Sequence, residues 1–240
     1  MIYELAEMRV DIQNRCEYTA RFCKDYLSDD QTAPADITAR VTKEEFLVEK
    51  ELSGGFSDGY VENICLYRTI CQQAPLFKRM LLHASVLEYD GNGYAFLGRS
   101  GTGKSTHTRL WLEYLPNVRI INGDKPILEQ KDGFFYAYGT PWQGKEGWGC
   151  KAKTPLRGLC FLEQAKENKI QVLSPSEAAN RLFAQVLLPT EEATAVATLE
   201  LLDALLACTP TYLLSCDISE EAVKTSFEKM TGQVYAERKK

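Results

Sequence analysis

The sequence lacks long apolar runs, paired cysteine motifs and any excess of positive charge, and it contains only two histidines. None of its apolar stretches approaches the roughly 20 residues that cross a bilayer. Its first residues lack the basic head and apolar run of a secretion signal. We therefore expect a cytoplasmic protein that does not enter a membrane.

The balance of charged residues excludes another class of proteins. The chain carries 28 Lys and Arg against 33 Asp and Glu, for a net charge of −5. A dedicated binder of nucleic acids or anionic membranes needs a cationic footprint to displace counterions from phosphates. We expect no nucleic-acid partner, although a local basic site for a nucleotide is compatible with an acidic whole.

The eight cysteines are scattered, and no two of them form a CxxC pair. With so few histidines, this excludes the usual structural zinc spacings. In a reducing cytosol we expect most of them to be small buried hydrophobic residues. They are Cys16, Cys23, Cys65, Cys71, Cys150, Cys160, Cys208 and Cys216.

The hydrophobic pattern predicts an α/β protein with a mixed sheet. Strand patterns dominate the middle of the chain, where Leu81–Tyr89 and Tyr94–Leu97 flank a strong hairpin turn at Asp90–Gly93. Helical patterns dominate the end, at residues 176–188, 191–207 and 219–231. Such a succession favours a sheet that is not purely parallel.

The most specific motif is Gly98–Ser105, which reads GxxxxGK[ST] between an apolar strand and a helix. Its glycines allow consecutive backbone N–H groups to point into one anion-binding hollow, and the helix adds its dipole. Lys104 can reach the outer phosphates, and the Ser105 hydroxyl can bind magnesium. The alternative is a glycine-rich turn whose Lys and Ser are merely solvated. We predict a site for ATP and Mg²⁺ formed by Gly98, Ser100, Gly101, Thr102, Gly103, Lys104, Ser105 and Thr106.

Three further residues are candidates for the same site. Asp124 follows the apolar strand Val118–Ile121, where such enzymes place a carboxylate near the metal; a simple turn aspartate is the alternative. Hairpin pairing could bring His83 beside the phosphates, unless it is a buried histidine with a structural partner. His107, one turn beyond Lys104, is more often a packing residue at such a position.

These motifs together resemble the catalytic domain of HPr kinase/phosphorylase, a bacterial P-loop serine kinase whose fold is related to phosphoenolpyruvate carboxykinase. The resemblance is carried by Leu82-His83-Ala84, Asp90–Gly93, Gly98–Ser105 and Ile120–Asp124, and His83 and Lys104 stand twenty-one residues apart as in the family. It implies an ATP- and magnesium-dependent kinase domain over residues 76–240. Residues 1–75 do not match the family's N-terminal regulatory domain, and we expect an accessory α+β region there. It further implies catalytic roles for Lys104, His83 and Asp124, with Asp124 as the base and Ser105 and Asp124 as metal ligands.

The sequence departs from this family at one important position. Gly123-Asp124 stands where the family has paired aspartates, so one carboxylate is absent. Glu146 is the nearest candidate for a second metal ligand. We predict phosphoryl transfer to a hydroxyl, most simply a serine, of a protein or peptide; a homo-oligomer is compatible with this. A carboxykinase-like lyase and a non-catalytic nucleotide-binding switch are the alternatives.

The segment Gly139–Lys151, rich in Gly and Trp, includes Lys145 and Glu146. It is typical of a mobile lid that closes over a bound ligand. The alternative is an ordered loop whose tryptophans cover the core.

Overall fold

The structure, a computed structural model, describes residues 1–236. The last four residues of the predicted second domain lie outside that range. The chain begins with a small layer of three strands and three helices. The strands are β1 (Ile2–Leu5), β2 (Met8–Ile12) and β3 (Ile37–Ala39), and the helices are α1 (Glu17–Phe22), α2 (Lys43–Leu52) and α3 (Asp58–Gln73).

Local sequence signals explain the boundaries in this layer. Strand β2 alternates buried Met8, Val10 and Ile12 with partly exposed residues, as a half-buried strand requires. Helix α2 starts at a capping box, in which Thr42 and Glu45 satisfy each other's backbone N–H groups. Helix α3 ends at Gln73, two residues before Pro75.

The remaining chain forms a nine-stranded sheet with four more helices. Its strands are β4 (Arg79–Leu81), β5 (Ala84–Tyr89), β6 (Asn92–Leu97), β7 (Val118–Asn122), β8 (Ile127–Lys131), β9 (Phe134–Tyr138), β10 (Lys153–Gln164), β11 (Lys169–Val172) and β12 (Thr211–Cys216). Its helices are α4 (Lys104–Tyr114), α5 (Pro175–Phe183), α6 (Glu192–Cys208) and α7 (Glu220–Thr231).

The long strand β10 joins two parts of this sheet. Its first residues pair antiparallel with β9, which continues to β8 and β4. Its later residues run parallel to β6 on one side and β12 on the other. The prediction of a mixed sheet is therefore confirmed. The carboxyl ends of β6, β10 and β12 lie at the same edge, which is where α/β sheets bind ligands.

The N-terminal layer and the large sheet share buried residues. One core cluster joins residues of β1, β2 and α3 to Leu81, Ile127, Tyr138 and Trp142 of the second part. A domain boundary at residue 75 thus stays a prediction, since no gap in the packing marks it.

Three local predictions were wrong in detail. The strand predicted over Leu81–Tyr89 is interrupted at Leu82 and His83, whose backbone N–H groups instead donate to Pro126 and Gln185. The helix predicted over 176–188 ends at Phe183. Only half of the eight cysteines are buried, and Cys208 is exposed.

Helix α4 is fixed to α7 by a buried polar cluster around His107. His107 Nε2 lies 3.0 Å from Ser226 Oγ, and the Trp111 indole N–H donates to both atoms. His107 Nδ1 is buried and has no hydrogen-bond partner among residues 1–236. Burial lowers the pKa of His107 to about 4. His107 is therefore a neutral packing residue, as expected.

Acidification should destabilise the fold through His107. His107 takes up a proton near pH 6.5 in the unfolded chain and near pH 4 in the folded chain. Its contribution to stability is therefore complete above pH 6.5 and is lost as the pH falls toward 4. We expect acidification from pH 7 to pH 5 to lower the free energy of unfolding by about 1–2 kcal/mol through this residue. Urea unfolding at both pH values measures this loss. A His107→Gln variant should lack it; an unchanged pH dependence in the variant would contradict the assignment.

Candidate active site

The glycine-rich loop connects the end of β6 to the start of α4. Gly101 and Gly103 have φ angles of +84° and +104°, a region that glycine reaches without strain. Gly103 directly precedes Lys104, the first residue of α4. The loop therefore leaves the N–H groups of the first helical turn at the carboxyl edge of the sheet, where an anion is favoured.

The Lys104 side chain lies folded over this loop. Its Nζ donates to the carbonyl oxygens of Gly98 at 2.9 Å and Arg99 at 3.4 Å. Burial lowers the pKa of Lys104, an effect that the charge of Asp124 opposes and that of Lys125 reinforces. Carbonyl oxygens are weaker partners for an ammonium group than phosphate oxygens. An incoming phosphate can thus replace them.

Hairpin pairing places His83 beside the loop. Ala84 at the start of β5 pairs with Leu97 at the end of β6, so His83 lies level with the first loop residue. His83 Nε2 is 3.2 Å from Asp124 Oδ1, and the Ala84 N–H donates to the Asp124 carbonyl at 3.0 Å. The structure thus brings His83 and Asp124 together, although 41 residues separate them in the sequence.

A buried amide, Asn122, shapes the turn that presents Asp124. Its Oδ1 accepts from the N–H groups of Asp124 and Lys125 at 2.9 and 2.7 Å. Its Nδ2 donates to the carbonyl and hydroxyl oxygens of Thr140, and that hydroxyl donates to the Lys125 carbonyl. Asn122 is fully buried, so these bonds hold the turn in one conformation.

The neighbours of Asp124 keep its carboxyl group ionised. Burial raises the pKa of Asp124, but the hydrogen bond from His83 and the charge of Lys125 outweigh this, so the pKa lies below its usual range. Lys125 Nζ is 3.3 Å from Asp124 Oδ2. At neutral pH the carboxylate can bind a cation or accept a proton.

These side chains face one cavity of about 440 Å³. Of the predicted site residues, it brings together His83, Ser100, Gly101, Gly103, Lys104, Ser105, Thr106 and Asp124, with Glu146 on its wall. Gly98 lies beneath the loop and does not line it, and Thr102 faces a neighbouring cavity.

That neighbouring cavity, of about 460 Å³, lies on the other side of the loop. Gly101, Gly103 and Thr106 line both cavities, so the two meet at the loop. Its other walls are largely apolar and come from the ends of β10 and β12 and from α4: Leu110, Leu162, Ala165, Cys216 and Ile218.

The packing at Gly123 leaves little room for a side chain at this position. A Cβ atom at this position would lie 2.9 Å from the Gln143 carbonyl oxygen and 3.2 Å from that of Trp148. The Gly123 N–H also donates to the Trp148 carbonyl. The segment Gly139–Lys151 thus occupies the space that a side chain at residue 123 would need.

Both ends of Gly139–Lys151 are anchored to the sheet. Gly139 N–H donates to Ala152, and Cys150 N–H donates to Ile121. Trp142 is buried, and its indole N–H donates to Asn63 Oδ1 at 2.9 Å. The exposed part of the segment is the turn around Gly144, Lys145 and Gly147. A lid motion therefore stays a prediction, and the anchors restrict it to this turn.

Two features of the site were missed by the sequence analysis. Lys125, the ion-pair partner of Asp124, directly follows it in the chain and could have been found as a charged neighbour. The cavity next to Asp124 also has aromatic walls from residues 18–67. No local pattern indicates these walls, because they depend on the packing of α1 and α3 against Trp142.

The fold and the site define an α/β protein with a glycine-rich strand–loop–helix at the carboxyl edge of a mixed sheet. A family model described as SynChlorMet cassette protein ScmC matches residues 60–224. The chain belongs to this family. The matched range contains the glycine-rich loop, His83 and Asp124, and the family description states no reaction.

Comparisons with other proteins add little to this assignment. The structure of the Hpr(Ser) kinase/phosphatase from Coxiella burnetii is similar at 13% identity and a TM-score of 0.35, covering 64% of this chain and 93% of that chain. A similarity of this size does not establish a common function. No curated protein sequence matches the chain. Within residues 1–236, no helix has the length and apolar character needed to cross a bilayer.

Substitution of Gly123 should destabilise the protein. We expect Gly123→Ala to lower the free energy of unfolding by about 1–3 kcal/mol, because the new methyl group meets two backbone carbonyls. Gly123→Asp, which recreates paired aspartates, should cost more, since its carboxylate would face the same oxygens. Urea unfolding measures both.

Gly158→Ala is the matched control, because a Cβ there first meets the flexible end of Met230 at 3.2 Å. Equal stability of Gly123→Asp and the unaltered protein would show that the space at residue 123 is not restricted.

Proposed function

We propose that this protein is an ATP- and magnesium-dependent phosphotransferase that acts on a hydroxyl group. One observation carries the proposal: Lys104, at the helix start after the glycine-rich loop, shares a cavity with the His83–Asp124 pair. A phosphate held at the helix N-terminus would thus lie in the same cavity as an ionised carboxylate. The resemblance of the motifs to HPr kinase/phosphorylase supports the same reaction.

The two cavities at the loop suit the two ends of a nucleotide. Phosphates would bind the N–H groups of the loop and Lys104, and the base would enter the apolar cavity beside Leu110, Leu162 and Ile218. The shared residues Gly101 and Gly103 lie between them and, lacking side chains, let a ligand pass close to the backbone.

The donor set fits magnesium. Ser105 and Asp124 supply a hydroxyl and an ionised carboxylate, the oxygen ligands that Mg²⁺ prefers. Among residues 1–236, no group of three or more His, Cys, Asp or Glu side chains could hold a metal ion. Magnesium in nucleotide sites is usually held by one or two carboxylates together with the phosphates of the substrate. Bound there, the ion would neutralise charge on the phosphates.

The transfer itself requires a proton acceptor. The acceptor oxygen attacks the γ-phosphorus and forms a new O–P bond, while the bond to the bridging oxygen breaks and ADP keeps the electron pair. The hydroxyl proton passes to Asp124 and then to solvent. His83 positions the carboxylate through its Nε2 contact, and Lys104 stabilises negative charge on the phosphates.

A second candidate function is a nucleotide-dependent switch without turnover. The observation that favours it is Gly123, where the packing leaves no room for a second carboxylate. The two functions differ in a measurable property, because a kinase consumes ATP together with its acceptor and a switch consumes almost none.

Lys104→Ala and Ser105→Ala should both weaken the binding of ATP with magnesium. The first change removes a charge from the phosphates, and the second removes a metal ligand, so we expect at least a tenfold loss of affinity for each. Isothermal titration calorimetry with Mg-ATP measures this. Lys229→Ala, which alters an exposed lysine of α7, is the control. Binding by Lys104→Ala as tight as that of the unaltered protein would show that the nucleotide binds elsewhere.

Asp124→Asn should separate catalysis from binding. The amide keeps the size of the side chain but cannot accept the proton, so phosphoryl transfer should fall by about 10²–10⁴-fold. Because Asp124 is also a proposed ligand of magnesium, Mg-ATP affinity should fall as well, but by less than the rate. Transfer from radiolabelled ATP to a library of serine peptides measures the rate, and calorimetry measures the affinity. His83→Ala should cause a smaller loss, and Asp132→Asn, in the β8–β9 turn, none. An undiminished rate in Asp124→Asn would exclude its role as base.

A further inference from the structure

A third cavity, of about 700 Å³, adjoins the cavity of about 440 Å³ that Lys104 and Asp124 line, which we call the phosphate cavity. The two meet on the side of Asp124. Asp124, Gly144 and Lys145 line both of them. A molecule in the third cavity can therefore place one of its groups at the Asp124 carboxylate, opposite the loop that holds the phosphates. None of the nucleotide-site residues of the glycine-rich loop lines this cavity.

Five aromatic rings line this third cavity, and we call it the aromatic groove. The rings are those of Tyr18, Phe22, Tyr60, Tyr67 and Trp142. They contact one another: Trp142 lies 5.0 Å from Tyr67 and 6.2 Å from Phe22 between ring centroids, and Tyr18 stacks on Phe22 at 5.8 Å. Such walls offer apolar area of defined geometry.

Internal contacts hold the rings of the groove in place. The Trp142 indole N–H donates to Asn63 Oδ1, and Lys125 Nζ lies 5.5 Å from the centre of the Tyr67 ring. The same Lys125 pairs with Asp124, so the aromatic wall is directly connected to the candidate base. A preformed wall lowers the entropic cost of binding.

The apolar surface continues outside the groove. Phe22 and Leu187 at its rim are 37% and 40% exposed, and Phe56, 53% exposed, stacks on Tyr60 at 4.5 Å. A small molecule enclosed in the cavity would not need this extension, whereas a chain that runs across the rim would cover it. Extended apolar patches of this kind mark protein or peptide contacts.

The charges on the groove walls restrict the occupant further. Arg68, Lys125 and Lys145 line it with one carboxylate, Asp124. Lys125 pairs with Asp124, and Arg68 pairs with Glu49 outside the lining, so one positive charge is in excess. Basic groups next to the hydroxyl would meet these cations and should be disfavoured.

We propose that the aromatic groove binds the acceptor: a peptide segment in which a serine or threonine lies next to an aromatic or large aliphatic residue. The apolar side chain enters the groove, and the neighbouring hydroxyl lies at Asp124. This inference rests on the proposed phosphotransferase function and assigns its acceptor class to a groove that takes half of its lining residues from residues 18–68.

The test uses serine peptides of equal length with Phe, Leu, Ala or Lys at the flanking positions, together with radiolabelled ATP and magnesium. We expect kcat/KM to be at least about tenfold higher for Phe or Leu peptides than for Ala peptides, and lowest for Lys peptides. Phe22→Ala and Tyr60→Ala should remove most of the preference for Phe over Ala, chiefly through KM. Phe134→Ala should keep the preference. Phe134 is 54% exposed on β9 and lines neither the phosphate cavity nor the aromatic groove.

Each other result has a defined meaning. Equal kcat/KM for Phe and Ala peptides would overturn the role of the groove, although Lys104-dependent transfer to both would leave the phosphotransferase function intact. Transfer to no peptide, with Mg-ATP still bound in calorimetry, would overturn the peptide acceptor and point to a small molecule. If the unaltered protein does not bind Mg-ATP, the proposed function itself is contradicted. Circular dichroism of Phe22→Ala and Tyr60→Ala checks that each variant is folded, and two separate positions keep the test decisive if one is not.

Discussion

The candidate site depends on the buried side-chain amide of Asn122. This one group accepts from two successive backbone N–H groups and donates to Thr140, so it joins the end of β7 to the start of Gly139–Lys151. Without it, four backbone or hydroxyl groups would lose a partner, two of them the N–H groups of Asp124 and Lys125. Buried amide networks of this kind favour a single conformation because any alternative leaves polar groups unsatisfied. Asp124 therefore faces His83 and the glycine-rich loop.

The same constraint accounts for the neighbourhood of the site. Because the Asn122 turn draws Gly139–Lys151 against β7, the carbonyls of Gln143 and Trp148 lie on Gly123 and exclude a second carboxylate. Trp142 is thereby held against α3, where it forms the wall of the aromatic groove. The Asn122 side chain thus connects the cavity lined by Lys104 and Asp124, the crowded backbone at Gly123 and the aromatic groove. In this arrangement the side-chain partners of the Asp124 carboxylate are Lys125 and His83.

The chain belongs to the ScmC family, and the description of this family names no reaction. The chemistry has to be inferred from the site, in which a helix N-terminus, a buried lysine and an ionised carboxylate meet at the carboxyl edge of three parallel strands. The acidic net charge of the chain is compatible with this, because a local basic site can exist in an acidic protein. Lys104, Lys125, Lys145 and Arg68 line the phosphate cavity or the aromatic groove.

The sequence by itself determined the local elements: the β5–β6 hairpin, the loop Gly98–Ser105, the helix that follows it and the capping box at Thr42. Each of these depends on residues close together in the chain, where turn chemistry and hydrophobic period act directly. The position of His83 beside the loop also follows from the register of the β5–β6 hairpin. The interruption of the strand at Leu82 and His83 does not follow from the sequence pattern. Tertiary structure alone decided the crowding at Gly123 and the aromatic groove. Phe22 and Tyr67 meet Trp142 only because α1 and α3 pack against a distant loop. No local pattern records a contact between residues 75 or more positions apart.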